Sequence, residues 1–269
     1  MDAMEYAPHL VGAGRPGSAQ HCLGCAGTVM MSAGAAVLAT PAGTSRETLP
    51  DVAELVPQGF VVEEHRGQEE ECAPWPGEDG LLGPGWAKNR YQSLMARECA
   101  RRALIRLGQP PAAIPRTPNG APSWPDGIIG SLTHCEGYRA AIVGRTVHGR
   151  SAGIDAEVHR PLPHGVLDLI AGVPEKQLLG RLQDGAPGVH WGTVLFCVKE
   201  AVYKAWFPLT RTWLPMTQAS AWLGPDGTFR VSIRLRENQP GDLTLLSWKG
   251  RWTIRDGIVL AVAVRAPLA

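Results

Sequence analysis

The sequence lacks a long hydrophobic run, an excess of charge of one sign and a regular pattern of cysteines. No stretch of about 20 strongly apolar residues occurs, so we expect no membrane-spanning helix. The 26 Lys and Arg face 25 Asp and Glu, which leaves a formal net charge of +1. A field this weak argues against a protein that coats nucleic acid through its overall charge. Any anion site must therefore be a local cluster of cations.

Cysteines are few and scattered, with only Cys22 and Cys25 close together among the six in the chain. No second pair follows at ligand spacing, so a zinc site is weakly indicated, and scattered cysteines are typical of reduced, buried thiols. Residues 23–43 resemble the apolar part of a signal peptide. Only Arg15 is basic in the preceding segment, so we do not interpret them as an export signal and expect a cytoplasmic protein.

The order of predicted elements indicates an α+β fold. Residues 1–50 are rich in small residues without a sustained period, and we expect a poorly ordered extension. Two similar halves are expected to follow, over 51–150 and 151–269. Strands are predicted at 59–64, 128–134, 138–148 and 151–158, helices at 86–107, 164–184 and 190–206 (the last before Pro208), and hairpin strands at 219–223, 229–235, 252–255 and 258–264.

Asp155 and Glu157 are two positions apart on a predicted strand, so both side chains leave the same face. Two carboxylates held that close require a cation or a raised pKa. Magnesium favours hard oxygen ligands, keeps several waters and shares substrate phosphates. Small or apolar neighbours (Gly153, Ile154 and Ala156) argue against a solvated acidic surface. The pair is therefore a candidate start of a metal site.

An ionic cluster lies inside the mostly apolar helix predicted from Trp191 to Trp206, whose charged residues are Lys199, Glu200 and Lys204. One interpretation is a surface pair of Glu200 with Lys204 one turn later. The other makes Glu200 a third metal ligand and places Lys204 against a phosphate. Lys199 points about 100° away from Glu200 and would reach another part of the same ligand.

Cations also concentrate on the helix predicted over 86–107. They are Lys88, Arg90, Arg97, Arg101, Arg102 and Arg106, with Glu98 opposing them. Arginine binds phosphate with two parallel hydrogen bonds, so the helix is a phosphate clamp, a nucleic-acid surface or an ordinary solvated face. Arg116 and His134 are further candidate cations, although an isolated histidine is more often structural.

Five motifs in order resemble the 4′-phosphopantetheinyl transferase family. Gly153-Ile154-Asp155-Ala156-Glu157 and the stretch Phe196 to Trp206, which contains Lys199-Glu200 and Lys204, resemble its two-part signature. The upstream stretches 97–104, 120–127 and 130–135 resemble the branch of enterobactin synthase component D, in its actinobacterial form. The resemblance covers roughly residues 56–264 and implies two similar α/β subdomains related by a pseudo-twofold axis, with the active site between them.

The resemblance also implies a reaction and its site. It implies transfer of 4′-phosphopantetheine from coenzyme A to a serine of an acyl or peptidyl carrier protein, serving polyketide, non-ribosomal peptide, siderophore or fatty-acid synthases. Mg²⁺, or Mn²⁺ in its place, would be held by Asp155, Glu157 and Glu200, and the catalytic set would be Glu200, Lys204 and Asp155. The implied coenzyme contacts are Arg90, Arg97, Arg116, Thr133, His134, Lys199 and Lys204.

Two departures from the family pattern lie on the first helix: Asn89-Arg90 stands where two adjacent basic residues are usual, and Ser93 replaces a phenylalanine. We expect a monomer that binds neither nucleic acid nor membrane. A metal-dependent nuclease or other nucleic-acid-binding protein is the alternative, and a non-catalytic coenzyme A or carrier-binding module is a third hypothesis. The nuclease would bind with steep salt dependence and be indifferent to coenzyme A.

Overall fold

The computed structural model of the protein describes residues 49–67, 72–78, 87–235 and 243–267, with the backbone alone at 87–89 and 243–244. The extension predicted over residues 1–50 lies, except for its last two residues, outside the described part. So do Cys22, Cys25 and the side chain of Lys88. None of the helices in the described ranges is both long and apolar enough to cross a membrane.

A three-stranded antiparallel sheet forms the first half. Its strands are β1 (Phe60–Arg66), β2 (Ile128–Cys135) and β3 (Tyr138–Arg145), in the order β1-β3-β2. β2 and β3 form a hairpin around Glu136-Gly137, and Gly137 has φ 74°, a conformation that glycine adopts without steric cost. The long helix α1 (Ala87–Arg106) covers one face. Cys99, Ala100 and Ala103 of α1 pack there against Ala141 and Val143 of β3.

A five-stranded antiparallel sheet forms the second half. Its strands are β4 (Ser151–Val158), β5 (Ala219–Leu223), β6 (Thr228–Ile233), β7 (Ser247–Arg255) and β8 (Ile258–Arg265), in the order β4-β8-β7-β6-β5. Three helices lie between β4 and β5 in the chain: α2 (Val166–Ile170), α3 (Val173–Gly185) and α4 (Trp191–Thr210). Short 3-10 turns occur at Val52–Leu55, Met216–Gln218 and Leu243–Leu246.

The main core lies between the two sheets. Ala140 and Ile142 of β3 pack with Ile154 of β4 and with Leu260 and Val262 of β8. The mixed helix and strand content in two sheets confirms the predicted fold class. Residues 41–269 form one compact unit, and the predicted boundary near residue 150 falls between β3 and β4. The division into two subdomains at that point stays a prediction.

Several element bounds differ from the sequence-based prediction. The single helix predicted over 164–184 is divided into α2 and α3 at Ala171-Gly172. α4 was predicted to end before Pro208, but it continues through Pro208 to Thr210. Proline removes the N–H that would bond the carbonyl of residue 204, which costs least close to a helix end. Arg211, the residue that follows the helix, adopts the left-handed conformation with φ 54°. β7 begins at Ser247, five residues before the predicted Trp252.

Candidate active site

β4 places its carboxylates on the side that faces α4. Alternation along the strand sends Ile154 and Ala156 into the core between the sheets. Asp155 and Glu157 therefore leave the opposite face. Asp155 is only 4 % exposed, and its backbone oxygen accepts a hydrogen bond from the Cys197 thiol of α4 at 3.2 Å.

Gly153 allows α4 to approach β4 closely. A Cβ atom at Gly153 would lie 1.9 Å from the backbone oxygen of Ala201 and 2.8 Å from the nitrogen of Ala205. Both contacts are to helix backbone, which cannot rotate away as a side chain would. Glu200 and Lys204 flank these positions on α4, so the approach at Gly153 brings them beside Asp155.

Lys204 lies at the junction of the two sheets. Its Nζ is 2.7 Å from Asp155 Oδ1 and also donates to the backbone oxygens of Leu132 at 3.3 Å and Ile154 at 3.2 Å. The side chains of Lys204 and Asp155 are 14 % and 5 % exposed. The prediction of a surface pair between Glu200 and Lys204 is therefore wrong, because both side chains are largely enclosed and Lys204 contacts Asp155.

Thr133 of β2 connects the first sheet to this cluster. Its hydroxyl accepts a hydrogen bond from the Ala156 backbone N–H at 2.9 Å and lies 3.4 Å from Asp155 Oδ1. The residue is 2 % exposed. The predicted coenzyme contact Thr133 thus directly contacts a candidate metal ligand and the strand that carries it.

The electrostatics of the three acids reflect their burial and mutual repulsion. Burial raises the pKa of Glu200 to about 8, and the charge of Asp155 adds to the rise while Lys204 opposes it. Burial likewise raises the pKa of Glu157 to about 8, again with Asp155 contributing. The pKa of Asp155 is raised by burial and lowered by Lys204. One ammonium therefore does not compensate three carboxylates.

The donor set fits a divalent cation that a substrate helps to bind. Asp155 Oδ2 is buried without a hydrogen-bond partner, so one hard oxygen is available to a ligand. No group of three side chains among the described residues already has the geometry to hold a metal ion. Magnesium does not require such a cage, since it keeps waters and completes its octahedron with substrate phosphates.

The structure does not bring Lys199 to this cluster. This placement differs from the prediction that Lys199 contacts the coenzyme. Its Nζ lies 2.8 Å from Glu175 Oε1 of α3 and 3.0 Å from the Met216 backbone oxygen. The side chain is 1 % exposed. Each helical residue turns by about 100°, so Lys199 points toward α3 while Glu200 points toward Asp155. Glu175 was missed, because an acid in the first turn of a helix is common at any surface.

The other predicted coenzyme contacts lie around α1 and β2. Arg97 is buried and donates from Nε to the Ile114 backbone oxygen at 2.8 Å, and Arg116 donates to the Gly120 backbone oxygen at 3.0 Å. Arg90 is exposed on the first turns of α1. His134 follows Thr133 on β2, and alternation points it to the face that α1 covers.

Two of the α1 cations, Arg101 and Arg106, are compensated by acids of the same chain, which removes them as candidates for a nucleic-acid surface. Arg101 is 2.9 Å from Glu78 and 2.9 Å from Glu98. Arg106 pairs with Glu63 of β1. Phosphate contacts require cations that are free to face the ligand, and these two arginines are held by acids of the same molecule.

Comparison with known proteins identifies the family. The model of the 4′-phosphopantetheinyl transferase N-terminal domain matches residues 79–144, and that of the 4′-phosphopantetheinyl transferase superfamily matches residues 151–263. A curated relative, 4′-phosphopantetheinyl transferase Npt of Nocardia iowensis, is 42% identical over 222 residues, which are 79% of this chain and 98% of Npt. The chain belongs to the 4′-phosphopantetheinyl transferase superfamily.

Two further curated relatives are also 4′-phosphopantetheinyl transferases. The transferase PptT of Mycobacterium tuberculosis is 44% identical over 196 residues, covering 71% of this chain and 86% of PptT. The transferase Svp of Streptomyces mobaraensis is 40% identical over 222 residues, covering 80% of this chain and 90% of Svp. The predicted family is confirmed, and so is the predicted enzyme class, a phosphopantetheinyl transferase that uses coenzyme A as its substrate. The nuclease alternative finds no support.

Proposed function

We propose that this phosphopantetheinyl transferase modifies a serine of an acyl or peptidyl carrier protein at the cluster of Asp155, Glu157, Glu200 and Lys204. One observation carries the assignment: the carboxylates of Asp155, Glu157 and Glu200 influence one another electrostatically beside the Lys204 ammonium, and Asp155 Oδ2 is buried there without a hydrogen-bond partner. This is a suitable surrounding for a divalent cation, which would offset negative charge on the diphosphate of coenzyme A.

The roles of the residues follow from their charges. Asp155, Glu157 and Glu200 would hold Mg²⁺, or Mn²⁺, which when bound neutralises charge on the diphosphate. The carrier serine oxygen attacks the phosphorus that bears pantetheine, and the bond from that phosphorus to adenosine 3′,5′-bisphosphate breaks. Glu200 accepts the serine proton as the general base. Lys204 offsets charge on the departing bisphosphate.

The partner and the cellular setting are part of the same proposal. Carrier proteins of polyketide, peptide, siderophore or fatty-acid synthases are the expected acceptors. Both halves of the site come from one chain, which supports a monomer. The four cysteines in the described part of the chain, Cys72, Cys99, Cys135 and Cys197, are free thiols, which is compatible with a cytoplasmic protein.

A carrier-modification assay tests the function. The purified protein, coenzyme A, Mg²⁺ and a panel of apo carrier proteins should give carriers whose mass increases by one phosphopantetheine group. We expect Asp155→Ala and Glu200→Gln to lower the rate at least about 100-fold, because each removes an anionic oxygen that acts in the transition state.

The matched control is Glu136→Gln, which removes a carboxylate that is 77% exposed and belongs to the β2–β3 turn. It should leave the rate unchanged. No modification of any carrier by the unaltered protein, or full activity of both site variants, would contradict the proposal. Retained coenzyme A binding without transfer would instead indicate a non-catalytic binding module.

A further inference from the structure

The edge strands β2 and β4 lie beside each other although they belong to different sheets. β2 stands at one end of the order β1-β3-β2, and β4 stands at one end of the order β4-β8-β7-β6-β5. The free side of an edge strand presents N–H and C=O groups that its own sheet does not pair. These groups need partners where the strand is buried, and here side chains supply them. We call this boundary between β2 and β4 the seam.

Two side chains bridge the seam. The Lys204 ammonium donates to the backbone oxygen of Leu132 on β2 and to that of Ile154 on β4, at 3.3 and 3.2 Å. Thr133 on β2 accepts the backbone N–H of Ala156 on β4 through its hydroxyl, at 2.9 Å. The Thr133 hydroxyl therefore takes the place that a carbonyl oxygen of a neighbouring strand would have in a continuous sheet.

The peptide group that follows Asp155 is held from two sides. Its N–H, which belongs to Ala156, donates to Thr133, and its oxygen accepts the hydrogen bond from the Cys197 thiol. A hydroxyl can accept one hydrogen bond and donate another. The Thr133 hydroxyl donates to Asp155 Oδ1 at 3.4 Å, and the Lys204 ammonium is 2.7 Å from the same oxygen. Oδ1 is thereby engaged, while Oδ2 is buried without a hydrogen-bond partner.

We propose that Thr133 is a positioning residue for Asp155: its hydroxyl bridges the seam, fixes the strand that carries this carboxylate and leaves Oδ2 available to the divalent cation. The inference rests on the proposed function, in which Asp155 is a metal ligand. It gives Thr133 a role other than the coenzyme contact that the family resemblance implies, because the residue is 2 % exposed and its hydroxyl already accepts and donates within the seam. Groups that orient a metal ligand typically change metal affinity about 10- to 100-fold when they are removed.

The first measurement is Mn²⁺ binding by electron paramagnetic resonance, with coenzyme A present and carrier protein absent, so that no transfer occurs. We expect Thr133→Val, which keeps the shape and removes the hydroxyl, to weaken Mn²⁺ binding about tenfold or more. Thr133→Ser keeps the hydroxyl and should stay within about threefold of the unaltered protein. The affinity for coenzyme A in EDTA, measured by calorimetry, should be unchanged in both variants because Thr133 acts through Asp155.

The matched control is Thr253→Val. Thr253 lies on β7, is fully buried and donates from its hydroxyl to the Pro50 backbone oxygen at 2.7 Å, so this variant also loses one buried hydrogen bond of a strand threonine. Both valine variants should lower the urea midpoint, but only Thr133→Val should weaken Mn²⁺ binding. In the carrier assay, Thr133→Val should lower kcat about tenfold and leave KM for coenzyme A unchanged, whereas Thr253→Val should change neither.

If Thr133→Val does not fold, Thr133→Cys gives the same readouts, because a thiol is a weak acceptor of hydrogen bonds. Unchanged Mn²⁺ affinity in a folded Thr133→Val or Thr133→Cys variant would overturn the inference. A loss of coenzyme A affinity in EDTA at unchanged Mn²⁺ affinity would in addition restore the coenzyme contact. Absence of Mn²⁺ binding to the unaltered protein would overturn the proposed metal site and this inference with it, whereas normal binding there and in Thr133→Val would refute the role of Thr133 alone.

Discussion

At the scale of single residues, the same kind of side chain serves different purposes at neighbouring positions of α4. Lys204 lies at the carboxylate cluster, whereas Lys199 is enclosed in an ion pair with Glu175. Glu175 also accepts a hydrogen bond from the Ala221 backbone N–H at 2.8 Å, on edge strand β5. Lys199 therefore links α4 to α3 and to the edge of the second sheet.

Removing Lys199 should destabilise the protein rather than remove a coenzyme contact. We expect Lys199→Met to lower the free energy of unfolding by about 3–5 kcal/mol, because Glu175 is left buried without its counter-ion. Urea denaturation followed by circular dichroism measures this. The double variant Lys199→Met with Glu175→Met should recover part of the loss.

The comparison variant is Lys176→Met, which breaks the exposed pair with Asp168 and should barely move the urea midpoint. If Lys199→Met keeps its stability and instead loses affinity for coenzyme A, the coenzyme contact predicted from the sequence is correct.

At the scale of elements, the separation between α4 and β4 is set by one glycine. The backbone of Ala201 lies where a Cβ atom at residue 153 would stand. We expect Gly153→Ala to destabilise the protein by about 1–3 kcal/mol or more, because helix and strand must move apart. The loss of transfer activity should exceed what the loss of folded protein explains, because Glu200 then moves relative to Asp155.

Gly180→Ala is the matched control for Gly153→Ala. Gly180 lies inside α3 with nothing within 4 Å of its would-be Cβ. The substitution should stabilise the protein by about 0.5–1 kcal/mol through helix propensity and leave activity unchanged. Thermal melts and the carrier assay measure both variants. Equal behaviour of the two would show that the close approach at Gly153 is not required.

Local patterns predicted most elements because periodicity and turn residues lie within a few positions of one another. The Glu136-Gly137 turn and the alternation around Asp155 were read correctly, and α1 differs from its prediction by one residue at either end. The pairing of β4 with β8 joins residues 100 to 114 positions apart, which no local pattern encodes.

The site was only partly predictable for the same reason. The sequence singled out Lys199, Glu200 and Lys204 as charges inside an apolar helix that require compensation, and the structure encloses Glu200 and Lys204 beside Asp155. Their roles in metal binding and catalysis stay predictions. The burial of Lys199 against Glu175 could not be foreseen, because it depends on how α3 packs.

At the scale of the whole molecule, a near-neutral chain buries an excess of negative charge at one place. These acids collect around Asp155, and burying them without a cation is costly. Stability of the whole fold should therefore respond to pH and to divalent cations.

The pH response follows from Glu157 and Glu200, whose pKa values are raised from the ordinary 4.5 to about 8. The folded state then binds more protons than the unfolded state, so stability is fully present below about pH 4.5 and is lost as pH rises through 8. His159 has its pKa lowered to about 4 by burial and His190, which gives the opposite slope between 4 and 6.5. The informative window is therefore above pH 6.5.

In EDTA, the melting temperature should fall as the pH rises from 6.5 to about 8.5. Added Mg²⁺ should raise it more at pH 8.5 than at pH 6.5, because a divalent ion binds the carboxylates only after their protons leave. Glu200→Gln removes one of the groups that release a proton in this range. It should therefore reduce both the fall of the melting temperature with pH and the difference between the magnesium effects at the two pH values. Differential scanning fluorimetry would detect both changes. A magnesium effect of equal size at both pH values would show that the ion binds elsewhere, because binding at these buried acids must release protons in that range.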